Sequence, residues 1–257
     1  MNASQSPIRL CSRVHLTVAS RILALLFFVL LIFNLSQLKN PAPTHSKAVV
    51  VAASSASSKE TSWLSRVPRD WSVYQYITNE TISTALSTPL NKGNEAMVYL
   101  TYIIDHYDKL PDVVFFRHDH YEAWHQSFNS IFEVSHLRTE NVVEMGYVSP
   151  RCLSGCENIM PVSDNAAEIE DIDLVPRDVQ LSTFLSLFLD DGERVPDKIA
   201  APCCGQFAAS REAIQSRSLE WWSSMRQWLI ETPLTSYNSG RLLEWTWHIW
   251  LGEQPQV

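Results

Sequence analysis

The chain has 257 residues, 46% hydrophobic and 19% charged, with a formal net charge of −8; this fits one folded domain plus an appendage, not a disordered chain. Glycine occurs only 7 times, and neither GxGxxG nor GxxxxGK[ST] is present, which argues against NAD or ATP held in the usual way. Five of the 20 basic residues (Arg9, Arg13, Arg21, Lys39, Lys47) lie in 1–47, which contains no acid. The remainder sets 15 basic against 28 acidic residues, so nucleic acid is not an expected partner.

Ile22 to Phe33 are twelve uninterrupted apolar residues within a weaker apolar span from about Leu16 to Leu38, broken by Arg21. A membrane helix needs roughly 20 largely apolar residues. The basic residues precede the span, which by the positive-inside rule keeps the N-terminus cytosolic. The organisation expected is a basic cytosolic tail (1–21), a transmembrane signal anchor (22–38), a stalk (39–47), a luminal α/β domain (48–253) and a tail (254–257). This is a type II single-pass protein with its body in the secretory lumen or outside; a cleaved signal peptide is the alternative. Asn79-Glu80-Thr81 is a glycosylation acceptor. Cys152, Cys156, Cys203 and Cys204 are the disulfide candidates. Neighbouring cysteines pair with strain, so bridges from the 152–156 loop to Cys203 or Cys204 are expected. CxxxC plus CC is not a standard zinc spacing.

Along the body, "AVVVAAS" (48–54) reads as a buried strand and "WSVYQYIT" (71–78) as a second. Ala96, Leu100, Ile103, Ile104 and Tyr107 recur at helical spacing, and Pro111 stops that pattern. "DVVFFRH" (112–118) is a third strand. The acidic stretch 157–178 reads as an irregular surface loop, and 178–189 as a helix. "CCGQFAASREAI" (203–214) reads as a short strand entering a helix, and 218–230 and 239–252 as two further helices. The order predicts an α/β fold, with a central mixed or mostly parallel sheet flanked by helices.

His118 and His120, two apart on an extended backbone, share a face. His125 returns within a turn, and Asp119 adds an oxygen if the backbone bends. Neutral imidazoles are common metal ligands, and ligands bind beyond the carboxyl ends of strands in open α/β sheets. His118, Asp119, His120 and His125 are therefore the candidate site for a divalent metal whose identity the sequence leaves open. The rival reading has these side chains hydrogen-bonding to loop backbone and holding the turn. Glu244 and His248, one helical turn apart, can serve as catalytic base and orienting partner, or lock the last helix as a buried pair. Glu95 near a helix N-terminus favours the dipole. Arg211 and Arg241 are suited to a phosphate or carboxylate, or to pairing with local acids. The tryptophans at 221, 222, 245, 247 and 250 read as core before sugar platform.

The blocks "NKGNEAMVYLTYIIDHYDKLPDVVFFRHDHYEAWH", "GYVSPRC", "APCCGQFAASREAIQSRS" and "SGRLLEWTWHIWLG" together resemble a mostly fungal family known as a domain of unknown function, number 3431, over about 48–253. A further likeness is to nucleotide-sugar glycosyltransferases of the GT-A type, where a strand ends in Asp-x-Asp. Here that place reads His118-Asp119-His120, with one Asp where the pattern has two. The likeness implies a related fold, and the fungal family implies a role in secondary-metabolite pathways. The expected function is a membrane-anchored luminal enzyme carrying out a transferase-like or metal-assisted tailoring step on a small molecule or glycan. The alternatives are a non-catalytic tethered binding or scaffold protein, and a copper or iron enzyme doing oxidative or cyclising chemistry.

Overall fold

A computed structural model describes residues 23–30, 44–54, 59–79, 86–151, 157–163 and 171–256. Residues 1–44 and 45–257 form two separate units. In the first, 23–30 are helical; among the described residues no helix is long and apolar enough to cross a membrane, and most of the 22–38 segment lies outside them.

The second unit is a mixed α/β fold. β1 (Lys47–Ala53) and β2 (Trp71–Ile77) are joined through a 3-10 turn, Lys59–Arg66. α1 (Glu95–His106) leads to β3 (Val113–His118). Two short helices follow, α2 (Ser130–His136) and α3 (Thr139–Met145), then β4 (Tyr147–Val148) and β5 (Glu157–Pro161). α4 (Arg177–Phe188), β6 (Lys198–Pro202), β7 (Phe207–Ser210), α5 (Arg211–Gln215), α6 (Leu219–Glu231) and α7 (Ser236–Trp250) complete the chain. The main sheet has the order β2-β1-β3-β7-β4. β1 pairs in parallel with β2 and β3, while β7 runs antiparallel to β3 and β4.

The central strands are apolar on both sides, as strands covered by helices on both faces must be. Val49, Val51, Val113 and Phe115 point into one core with Trp63, Trp71, Val134 and Val142. Val50, Val114 and Phe116 point into the other, with α1, α4, α6 and α7. Burying side chains of this size stabilises by about 1.5–3 kcal/mol each. α1 departs from the expected single apolar face: Ala96 to Ile103 are all buried, because the helix is packed between β1 and α6 and α7. Short helices are closed by caps; Asn129 accepts from Phe132 N at 2.9 Å, and Ser210 from Ala213 N at 3.1 Å.

The stretch 157–178 is not wholly irregular. Its first residues are β5, paired antiparallel with β6 in a second sheet. β6 buries Ile199 and Ala201 on alternate positions, a period-2 signal too short to stand out beside the acidic segment. Residues 255 and 256 are not a loose tail: the Pro255 carbonyl accepts from Ala200 N at 2.8 Å, and Gln256 bridges to Ala200.

Candidate functional site

β3 brings its alternation to the end of the sheet. Arg117 follows Phe115 into one core, and His118 follows Phe116 toward α1. Asp119 turns away again: its carbonyl accepts from Trp63 Nε1 at 2.7 Å, and its carboxylate from Ser54 N at 3.3 Å. His120 returns to the side of His118, with ring centroids 5.2 Å apart. His125 closes the group, 5.2 Å from His120 and 6.2 Å from His118. One nitrogen from each of the three rings falls within 4.8 Å of the others. Asp119 is not in this group, because its carboxylate is drawn to Ser54 N, at the wall of the cleft the rings face.

A charged network stands behind the rings. Arg117 is fully buried, donates to Ser130 Oγ at 2.8 Å and is paired with Glu133. Arg151, also buried, donates to both Glu133 oxygens at 2.9 and 2.8 Å and to the His125 carbonyl at 3.2 Å. One carboxylate thus serves two guanidinium groups. Arg151 also donates to Gln206 Oε1 at 3.3 Å, which turns the amide nitrogen of Gln206 toward the imidazoles. That nitrogen lies 3.3 Å from His118 Nδ1 and 3.5 Å from His120 Nε2. Burial, then the neighbouring imidazoles and arginines, pull His120 down to about 3. Burial and Arg151 pull His125 down to about 4. Both rings are therefore neutral at physiological pH, the form that offers a lone pair to a metal. Nδ1 of His125 and Nε2 of His118 are buried without a hydrogen-bond partner among the described residues.

Glu95 is a site residue that sequence reasoning assigned only to the helix dipole. Its Oε2 stands 3.7 Å from His118 Nε2. It is placed there by a strained turn, Gly93 (φ 70°) and Asn94 (φ 54°), over which α7 passes closely. A Cβ on Gly240 would lie 2.7 Å from Asn94 Nδ2 and 3.0 Å from the Gly93 backbone, so only glycine fits at that crossing. Glu95, His118 and His120 line a cleft of about 380 Å³ at the carboxyl ends of β1, β2 and β3.

The expected Glu244–His248 pair does not form. Glu244, in the middle of α7, accepts from Cys204 N at 2.8 Å and from Arg241 at 2.7 Å. Burial, then the charge of Glu95, raises its pKa. His248 lies deeper, with Nε2 facing the Pro255 carbonyl at 3.3 Å. A shared helix face brings two side chains close, but each has found a better partner across the fold.

Cys203 and Cys204 are joined to each other, the pairing that geometry made the less expected one. The tight turn with Cys204 at φ 79° and Gly205 at φ 54° brings them together. Cys152 and Cys156 lie outside the described residues. Asn79 is exposed at the cleft wall and accepts from Asn91 at 2.5 Å. Arg211 is committed to Asp112 and the Leu110 carbonyl. Trp222, Trp245, Trp247 and Trp250 are core. Trp124, unremarked in the sequence, is 82% exposed with its ring 5.3 Å from His125.

The fold and site define a mixed α/β protein with a cluster of three histidines at the carboxyl edge of its parallel strands. A family model described as Protein of unknown function (DUF3431) matches residues 49–257, and the chain belongs to that family. Searches of curated proteins and of solved structures return no match.

Proposed function

We propose that the protein is a membrane-anchored enzyme of the secretory lumen, carrying out a metal-assisted, transferase-like step at the carboxyl end of β3. The observation that carries the reading is the convergence of three imidazoles, with nitrogens within 4.8 Å of one another, beside a cleft containing a carboxylate. Three protein ligands plus an open position is the pattern of catalytic rather than structural metal sites. His118, His120 and His125 hold the ion. Glu95, across the cleft wall, is placed to take or return a proton of a bound substrate. The position of the histidine-flanked Asp119 at the end of a central parallel strand supports a relation to GT-A enzymes. The resemblance to a mostly fungal family extends the proposal to tailoring steps of secondary metabolism. A three-imidazole set also suits copper or iron, so the ion is part of the test.

The test is metal content and calorimetric titration of purified full-length protein with Zn²⁺, Mn²⁺, Co²⁺ and Cu²⁺. One ion per chain is expected, with binding weakened at least tenfold in His118→Ala and His120→Ala. A second reading, a non-catalytic tethered module, is favoured by the contacts of Gln206 with two of the rings. It predicts no binding of any of the four ions, and that result would sink the enzyme.

A further inference from the structure

We infer that the cleft beside the histidines receives a neutral, polyhydroxylated ligand, such as a single sugar ring or the end of a glycan, and not a phosphorylated one. This names the substrate class of the proposed enzyme and so rests on that reading. The cleft is about 380 Å³, at the small end of the range for small-molecule sites, roughly 300–1,000 Å³. Its walls are amides, hydroxyls and carboxylates: Ser54, Thr78, Asn79, Asn91, Asn94 and Asp119, with Glu95 and the two histidines at the chemical end.

Charge decides the class. An anion needs N–H donors backed by positive charge, most often arginine or lysine. Among the described residues, no lysine or arginine lines the cleft. The segments 55–58 and 80–85, which lie outside the described residues, contain none in their sequence. Arg117 and Arg151 are buried behind the rings and share Glu133, and Arg241 is paired with Glu244. Lys92, close in sequence, is turned away to the Ile230 and Thr232 carbonyls. Asp119 and Glu95 set two negative charges against the two positive charges of an ion on the histidines, so the cleft keeps no surplus of positive charge to draw a phosphate. A hydroxyl suits these walls, because it both donates and accepts. Each asparagine amide offers two donors and one acceptor oxygen, and each carboxylate accepts. Asn94 lines the cleft from a backbone at φ 54° and ψ −130°. Such strain persists only where surrounding structure imposes it, and it clusters at functional sites; here α7 imposes it through Gly240.

The test is saturation-transfer NMR on full-length protein. Glucose, mannose, galactose and myo-inositol are the neutral probes, with glucose 6-phosphate and putrescine as charged comparators. Transfer to at least one neutral probe is expected, with weaker transfer to both comparators. Asn94→Gly keeps the backbone conformation accessible and removes the amide; together with Asn91→Ala, at an exposed position, it should cut the signal at least fivefold. No signal from any neutral probe, preference for either charged comparator, or an unchanged signal in both variants overturns the inference. The two proposals fail separately. Ion binding without neutral-probe binding removes the ligand class and leaves the enzyme. Neutral-probe binding without ion binding removes the enzyme and leaves a binding cleft.

Discussion

The two sides of the end of β3 carry similar chemistry under opposite conditions. On one side Arg117 is sealed in, with its charge met by Glu133 and its guanidinium against Phe115 and Trp63. On the other, His118 and His120 reach a cleft, and ring nitrogens remain without a hydrogen-bond partner among the described residues. Successive residues of one strand thus divide the work. The closed side fixes the backbone, and the open side offers lone pairs. What links the two is Arg151, which touches Glu133, the His125 carbonyl and Gln206.

The largest effect should come from breaking the closed side. Glu133→Gln leaves two buried guanidinium groups without a counter-charge, and removing one partner of a buried ion pair costs about 3–5 kcal/mol. Urea denaturation of this variant is expected to show that loss. A change below about 1 kcal/mol would mean that water reaches the network and that the two sides are not different after all.

A second comparison uses His248, buried but remote from the cleft. Its folded pKa of about 4 lies below the ordinary 6.5, so the unfolded chain takes up the proton first as pH falls. The stability contributed by the neutral ring is complete above about pH 6.5. It is lost as pH falls toward 4, by up to about 1.4 kcal/mol per pH unit. Urea midpoints at pH 7.5 and 5.0 should draw closer together in His248→Gln than in the parent. An identical gap would show that the ring is solvated.

How much of this was legible depends on the element. β1, β3 and α1 could be read because long apolar runs between turn residues have few alternatives. α2 and α3, of seven residues each, carry too few turns for a period and are held by caps and packing. The side-sharing of His118 and His120 was legible from the pleat alone; that Ser54 holds the Asp119 carboxylate apart from the rings was not. Arg117 was also a signal, since a charge inside "VVFFRH" must find a buried partner, but nothing local names Glu133 as that partner. Gln206 and Arg151 reach the site from far along the chain, and Glu95 by a turn whose geometry depends on Gly240 more than a hundred residues later. The Glu244–His248 pairing failed for the complementary reason: helical spacing brings two groups together but cannot show who else competes for them.

Gln206 sharpens the link between the two sides. If its amide orients the imidazoles, Gln206→Leu should weaken Zn²⁺ or Co²⁺ binding by about 10–100-fold, the usual cost of losing an outer-shell hydrogen bond. If it merely occupies the rings, the same variant should bind the ion more tightly. Isothermal titration therefore distinguishes the two by sign as well as by size.

The smallest effect is expected at Trp124. Its indole is 82% exposed although it rests against the ring of His125, so replacing it removes little buried area. Trp124→Ala should change stability by no more than about 0.5 kcal/mol, as for surface positions generally. A loss well above that would make the indole a wall of the histidine cluster, extending the closed side around His125. A small loss leaves it as a rim residue of the histidine cluster, whose exposed aromatic face suits the apolar side of a ring-shaped ligand. Measuring neutral-probe binding in the same variant then separates rim from bystander, because only a rim residue lowers binding while leaving the denaturation midpoint in place.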